Sequence, residues 1–347
     1  MVFRDNCKYD IAAVSSMGLR LCPAGRQSLF SGAPLQLQAT SAETNVLSAL
    51  SSLGMRAKVL TRFVEGLETS RYIKAELARR GIAAEGPDVP QGGPWGYRHQ
   101  INFADSGFGC VPPAVQNDRA GEVGRSICAS DFDAEKLFAA DGCRIFHFSG
   151  LIASLSETSG KTCLDLAKAA KAAGTKVSFD VNYRPSLHAG REKELFALFD
   201  ELCGLADILS DAGYMVCEGK GRAKDLDEEA GYIERLHERY PQADVLFSCC
   251  RREESANRHS VGACLWADGA LTRRELRELD VCDRIGGGDG YLAGVLYGLL
   301  KGYDPETCLD LGWAVSAMAV SSPEDYAQPA SEQQLREICR GNAQIIR

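Results

Sequence analysis

The run Asp283-Arg284-Ile285-Gly286-Gly287-Gly288-Asp289-Gly290 sets three consecutive glycines and a carboxylate directly before an apolar-periodic segment. Leu292, Val295, Leu296, Leu299 and Leu300 recur at helical spacing, and Gly302 can end that helix. A helix start leaves its first backbone N–H groups without partners. Glycines there hold no side chain between the backbone and a ligand, and the positive end of the helix favours negative charge. Gly286, Gly287 and Gly288 therefore make an anion hole suited to phosphate. Asp289 is the odd member. A carboxylate beside phosphate is repelled unless it has a task, and in phosphoryl transfer that task is to accept the proton of the attacking hydroxyl. Spacing alone also allows a plain glycine turn followed by an acidic first helical turn.

Other phosphate and nucleophile signatures are missing. Ser159-Gly160-Lys161-Thr162 resembles the end of a Walker-A loop, but Leu155 stands where that loop needs its first glycine. The stretch reads as the solvated start of a helix. There is no Gly-x-Ser-x-Gly elbow and no His-Glu-x-x-His. The fourteen cysteines contain no Cys-x-x-Cys, and the five histidines show no metal spacing, so the thiols read as buried or incidental in a reducing compartment.

The elements that must carry this segment alternate. Ile11-Ala12-Ala13-Val14, Lys58-Val59-Leu60, Ile145 to Phe148, Val177 to Asp180, Ile208-Leu209 and Val245 to Phe247 read as strands. Between them, Glu43 to Leu53 (capped by Ser41, stopped by Gly54), Thr69 to Arg80, a segment ending near Ala173, and Leu195 to Leu202 read as helices. This rhythm predicts an α/β fold with a mainly parallel sheet covered on both faces. Two stretches break it. Leu19 to Leu37 and Trp95 to Phe108 alternate apolar and polar residues, as antiparallel strands exposed on one face do. They could form one small sheet over a site, or be separate surface hairpins.

The totals fit a globular protein that stays in the cytoplasm. The 347 residues are 45% hydrophobic and 25% charged, with a net charge of -8. That charge argues against a nucleic-acid surface. No run of ~18 apolar residues is present to span a membrane, and Met1 to Asp10 is too polar for a signal peptide.

Asp283 to Asp289 and the helix behind it resemble the C-terminal signature of the ribokinase-like (PfkB) sugar kinases, Asp-x-x-Gly-x-Gly-Asp, whose last Asp is the catalytic base. Further stretches are similar to the 2-keto-3-deoxygluconate kinase branch: Ala42-Glu43-Thr44-Asn45-Val46, Phe146-His147-Phe148-Ser149-Gly150-Leu151, Phe179-Asp180-Val181-Asn182-Tyr183-Arg184 and Pro323-Glu324-Asp325-Tyr326. The resemblance runs from about Asp10 to Tyr326. It implies a Rossmann-type three-layer core (about 1–15, 39–92 and 120–347) with a small β-sheet lid (about 16–38 and 93–119). It also implies ATP with Mg²⁺, and a homodimer through the lid. Its residues carry over as follows. Arg184 would hold a sugar-acid carboxylate, with Asn45, Arg119 and Asp325 as further substrate contacts. Arg251 would join Gly286 and Gly288 at the nucleotide. Asp283 would order the glycine loop or hold a monovalent cation. The implied reaction is ATP-dependent phosphorylation of 2-keto-3-deoxygluconate or a relative. A kinase of another sugar, or a weakly active sugar-acid-binding relative, are the alternatives.

The chain departs from that pattern where the substrate should lie. Thr40-Ser41 replaces Gly-Gly, Ser15-Ser16 replaces Gly-Glu, Asn102 and Asn117 stand for lid tyrosines, and Asp211-Ala212-Gly213-Tyr214 stands for Asn-Glu-Glu. A more polar lid is expected to make the branch's usual substrate a secondary one.

Overall fold

The computed structural model describes residues 1–217 and 223–341. The main sheet begins with β1 (Tyr9–Val14). The chain leaves it to build β2 (Gly18–Pro23) and β3 (Leu35–Thr40), then returns through α1 (Ala42–Ser52) to β4 (Ala57–Leu60). β5 (Phe63–Val64), α2 (Glu68–Arg79), β6 (Ile82–Glu85) and β7 (Asp88–Val89) follow, and a second excursion supplies β8 (Gln100–Asp105) and β9 (Ala114–Asp118). The strand–helix rhythm resumes with β10 (Cys143–Ser149), α3 (Gly150–Ser154), α4 (Glu157–Ala172), β11 (Lys176–Asp180), α5 (Pro185–His188), α6 (Glu192–Leu205), β12 (Ile208–Ser210), α7 (Leu226–Arg239) and β13 (Val245–Ser255). An antiparallel extension, β14 (Arg258–Ala267) and β15 (Ala270–Asp280), precedes α8 (Gly287–Lys301), α9 (Pro305–Val320) and α10 (Glu332–Cys339).

The nine-stranded sheet has the order β15-β14-β13-β12-β11-β10-β1-β4-β6. It is parallel from β13 to β6 and antiparallel beyond β13. Period-two alternation divides its side chains between two cores. Ile11 and Ala13 of β1 pack with α1, α8 and α9 residues such as Leu47, Leu296 and Val315. Ala12 and Val14 face the other way, with Phe146, Phe148, Leu166 and Phe199. Helices therefore cover both faces, giving three layers. The strand order reverses between β1 and β10, and such a switch point is where open α/β sheets bind ligands, at the carboxyl ends of the strands.

The two irregular stretches meet in one four-stranded sheet, β3-β2-β8-β9. Its central pair, β2 with β8, is parallel, whereas the alternation had suggested antiparallel strands throughout. The reason is connectivity: β2 and β8 belong to separate excursions, each of which returns on its own partner. Ser159 to Thr162 lies within the first turns of α4, capped by Ser156. Among the described residues no helix is long and apolar enough to cross a membrane.

Candidate active site

A cavity of about 1220 Å³ opens between the carboxyl ends of the main sheet and the lid. Its floor is the start of α8. Gly286 caps that helix in the left-handed conformation, φ 82°. A Cβ on Gly286 would lie 1.7 Å from the carbonyl oxygen of Asp325, so both the turn and the close approach require glycine. Gly288 has open space where its side chain would be, and it is exposed to the cavity. Of the three glycines it is the one past which a ligand can reach the backbone.

Asp289 stands one residue further on, facing the cavity. Asn45 Nδ2 donates to its Oδ2 at 2.7 Å. α1 brings Asn45 there because Ser41 caps that helix, accepting the Thr44 N–H at 3.1 Å. Burial pushes the Asp289 carboxyl up to about 7; the Asn45 bond and the Arg184 charge oppose this, and the charges of Asp325 and Glu43 add to it. A carboxyl in that range accepts and releases a proton near neutrality.

The strand ends supply the walls. Asp180 closes β11, accepting from Ser210 Oγ at 3.1 Å and Asn182 Nδ2 at 3.2 Å. Burial raises its carboxyl well above the carboxylate range, and the charges of Asp211 and Asp289 raise it further. Asn182 and Asp211 both have positive φ, 41° and 44°. These turns carry the chain sharply away from β11 and β12, and Asn and Asp tolerate them best. Arg184 follows, also on the cavity wall, and its guanidinium donates to the Tyr183 carbonyl at 3.1 Å. Among the described residues no carboxylate forms an ion pair with it. Its turn is backed by Tyr183 stacked on Tyr214, with centroids 3.8 Å apart and rings 10° from parallel. Tyr214 thus fills part of the stretch where Asn-Glu-Glu was expected.

The remaining expected residues are also placed. Asp325 is buried, and Thr40 donates its hydroxyl to Oδ2. The threonine that replaces a family glycine is therefore a hydrogen-bond partner of that carboxylate. Arg119 lines the cavity while its Nη1 binds both Glu122 oxygens at 2.9 Å, and Ser16 donates to the same Glu122 at 2.6 Å. Ser15 lies 2.6 Å from Glu43 Oε2, so both serines of the altered pair meet carboxylates. Arg251 lines the cavity and bridges Glu253 at 3.0 Å; Arg284, which the sequence reading passed over, reaches the same carboxylate at 2.9 Å. Asp283 does not open to the cavity. It pairs with buried Arg20 of β2, accepts Ser106 Oγ at 2.6 Å, and accepts the Ile285 N–H at 3.0 Å. The pair joins the lid to the glycine loop, and Arg20 was not anticipated because its partner is 263 residues away.

Bare backbone donors and a near-neutral carboxyl facing one pocket are what phosphoryl transfer to an alcohol requires, and an enzyme of that class is what this fold holds. Residues 128–332 match the family described as pfkB family carbohydrate kinase, and the chain belongs to it. It is thus a carbohydrate kinase that uses ATP. Over 344 residues it is 25% identical to a 2-dehydro-3-deoxygalactonokinase of Haloferax volcanii, covering 95% of this chain and 96% of the relative. The crystal structure of Thermotoga maritima 2-dehydro-3-deoxygluconokinase matches it with a TM-score of 0.84 at 23% identity, over 95% of this chain and 98% of that one. A Pyrococcus horikoshii sugar kinase solved with ATP has the same fold, with a TM-score of 0.68 at 19% identity, over 94% and 99% of the two chains.

Proposed function

We propose that the protein transfers the terminal phosphoryl group of ATP to a hydroxyl of a 2-keto sugar acid. The observation that carries the choice of an acid is Arg184. Its guanidinium lines the same cavity as Asp289, with no carboxylate paired to it among the described residues. A planar fork of this kind suits bidentate capture of a carboxylate. The substrate hydroxyl then meets Asp289, which takes its proton as the oxygen attacks the γ-phosphorus and ADP departs. The N–H groups at the start of α8 receive the charge that builds on the phosphoryl oxygens. Asn45 orients the base, Asp325 accepts from a sugar hydroxyl, and Arg119 adds positive charge from the lid. Arg251 and Arg284 serve the nucleotide side. Asp283 orders the glycine loop through the Ile285 N–H.

Asp180 and Asp211 would hold Mg²⁺ at the nucleotide phosphates. Burial, and then the charges of Asp211 and Asp289, raise the Asp180 carboxyl, and a divalent cation would oppose this. Mg²⁺ typically takes one or two carboxylates and leaves its other positions to phosphate and water. When bound it neutralises the transferring phosphates. The lid (about 16–38 and 93–119) excludes water above the site. Its outer face carries Leu21, Leu35, Leu37, Ile101 and Phe103; Leu35 and Leu37 are 45% and 44% exposed, and a second copy of the chain would cover them. Reliance on ATP suits a cytoplasmic enzyme. A coupled ADP-release assay across sugar acids and neutral hexoses tests the reading. Turnover of 2-keto sugar acids is expected, and turnover of neutral hexoses alone would contradict it.

A further inference from the structure

We infer that Arg26 is a positioning residue for phosphoryl transfer: it ties the lid to the stretch that enters the glycine loop, and so sets where the N–H groups at the start of α8 stand. This rests on the reading above of Gly286 to Asp289 as the place where the reaction occurs.

Arg26 follows β2, in the first excursion of the lid, and its backbone is left-handed, φ 58°. A non-glycine residue seldom holds that conformation, and it persists where the surroundings fix it. The guanidinium supplies contacts that can fix it. Nε and Nη2 donate to the Gly107 carbonyl at 3.1 and 2.8 Å, and Nη2 reaches the Ser106 carbonyl at 3.4 Å. Both carbonyls belong to the second excursion, directly after β8. Nη1 donates to the carbonyls of Val281 and Cys282, between β15 and α8. One planar fork thus joins three segments that are distant in the chain. Lysine, with a single nitrogen, lacks the reach to do so. Each bond is charge-assisted, and so stronger than its neutral counterpart.

The segment Val281 to Asp283 is held from two sides. Its amides bind the core: the Val281 N–H donates to the Asn257 carbonyl at 2.9 Å, and those of Cys282 and Asp283 donate to the Val320 carbonyl at 2.7 and 3.2 Å. Its acceptors bind the lid: the Val281 and Cys282 carbonyls take Arg26, and the Asp283 carboxylate takes Arg20 and Ser106. Ser106 links these lid contacts, since its carbonyl accepts from Arg26 while its hydroxyl donates to Asp283 at 2.6 Å. From Asp283 the path to the site is short. Its Oδ1 accepts the Ile285 N–H at 3.0 Å, and Gly286 comes next. Without Arg26 the segment keeps its bonds to the core while two of its carbonyls lose the lid. Donors that stabilise a transition state act at a defined distance from the developing charge, so a displaced glycine loop costs turnover more than it costs binding.

The test measures kcat and KM with ATP and the sugar that the coupled ADP-release assay finds most rapidly turned over, whether or not that sugar is an acid. Arg26→Met keeps the length and removes every donor. It should lower kcat by about 10–100-fold, as a misplacement of ~1 Å does, with both KM values scarcely changed. A second variant, Arg26→Gly, suits the left-handed backbone and opens the space that the guanidinium fills. Its kcat should recover in part on adding guanidinium chloride, well below concentrations that unfold the protein, and not on adding sodium chloride to the same ionic strength. A folded Arg26→Met with normal kcat overturns the inference, as does a raised KM with kcat intact. Failure of guanidinium to restore any turnover to Arg26→Gly assigns Arg26 to the fold of the lid and overturns it too. Normal turnover in Arg26→Met beside a slow Asp289→Asn overturns this inference alone, whereas normal turnover in Asp289→Asn overturns the reading on which it rests.

Discussion

On the floor of the cavity, Asp289 is held by Asn45 and Asp180 by Ser210 and Asn182, while Gly286 turns in the left-handed conformation too close to the Asp325 carbonyl for any side chain. Across the cavity, the lid presents the amides Gln100, Asn102 and Asn117, although unpaired buried oxygens occur on both sides, at Asn45 and Asp325 as well as Gln100 and Asn102. The floor is preorganised without a ligand, as electrostatic stabilisation of a transition state demands. Under the proposed function the lid is the side that recognises the substrate, where differences between substrates are decided. One chain thus separates chemistry, which must not reorganise, from recognition, which must be paid for by the right substrate.

The contrast can be broken most severely at the floor. Asp289→Asn should keep sugar and ATP binding and lower kcat by ~10²–10⁴. Isothermal titration beside steady-state kinetics checks this, and near-normal turnover would remove Asp289 from the reaction.

The two regions are joined at the buried pair Arg20–Asp283. Arg20→Met leaves Asp283 buried without its charge partner, and should destabilise the fold by about 3–5 kcal/mol. Arg20→Met with Asp283→Asn should recover much of that in urea unfolding, because neither charge remains. If the pair also positions the glycine loop, the double variant stays slow although stable. A double variant with normal kcat would limit the pair to stability.

A smaller effect separates the substrate's two ends. Arg184→Ala should weaken sugar-acid binding by about 2–5 kcal/mol, since it removes the partner of a desolvated charge. Binding of a neutral hexose should scarcely change. Equal losses for both would make Arg184 a support for its turn rather than a ligand for the acid.

The floor was legible in the sequence because its determinants are local. Glycines, the base and the apolar stripe of α8 occupy consecutive positions, and Ser41 caps α1 three residues before Thr44. The six parallel-sheet strands read from apolar runs are present for the same reason. β14 and β15 were missed although Asp268 and Gly269 form their turn with φ of 52° and 78°. β15 reads Leu-Thr-Arg-Arg-Glu-Leu-Arg-Glu-Leu, a charged stretch whose leucines do not keep strand alternation, and a register shift in its pairing with β14 accommodates this. The lid's contribution was legible only as a departure from a family pattern. Which atoms Gln100, Asn102 and Arg20 meet depends on strand register and on contacts between distant segments, and neither is written in neighbouring residues.

The central claim is that Asp289 is a base poised near neutrality by its surroundings, and the pH dependence of kcat/KM tests it most directly. That quantity reports groups of the free enzyme. The base works ionised, so activity should rise with pH, bend near the carboxyl's value of about 7, and then level off. Burial raises that value and the Asn45 hydrogen bond lowers it, so Asn45→Ala should move the bend to higher pH. An acidic limb that bends near neutrality and shifts upward in Asn45→Ala is the predicted result. A profile flat from about pH 5 to 8, or a bend that Asn45→Ala leaves in place, would contradict the account.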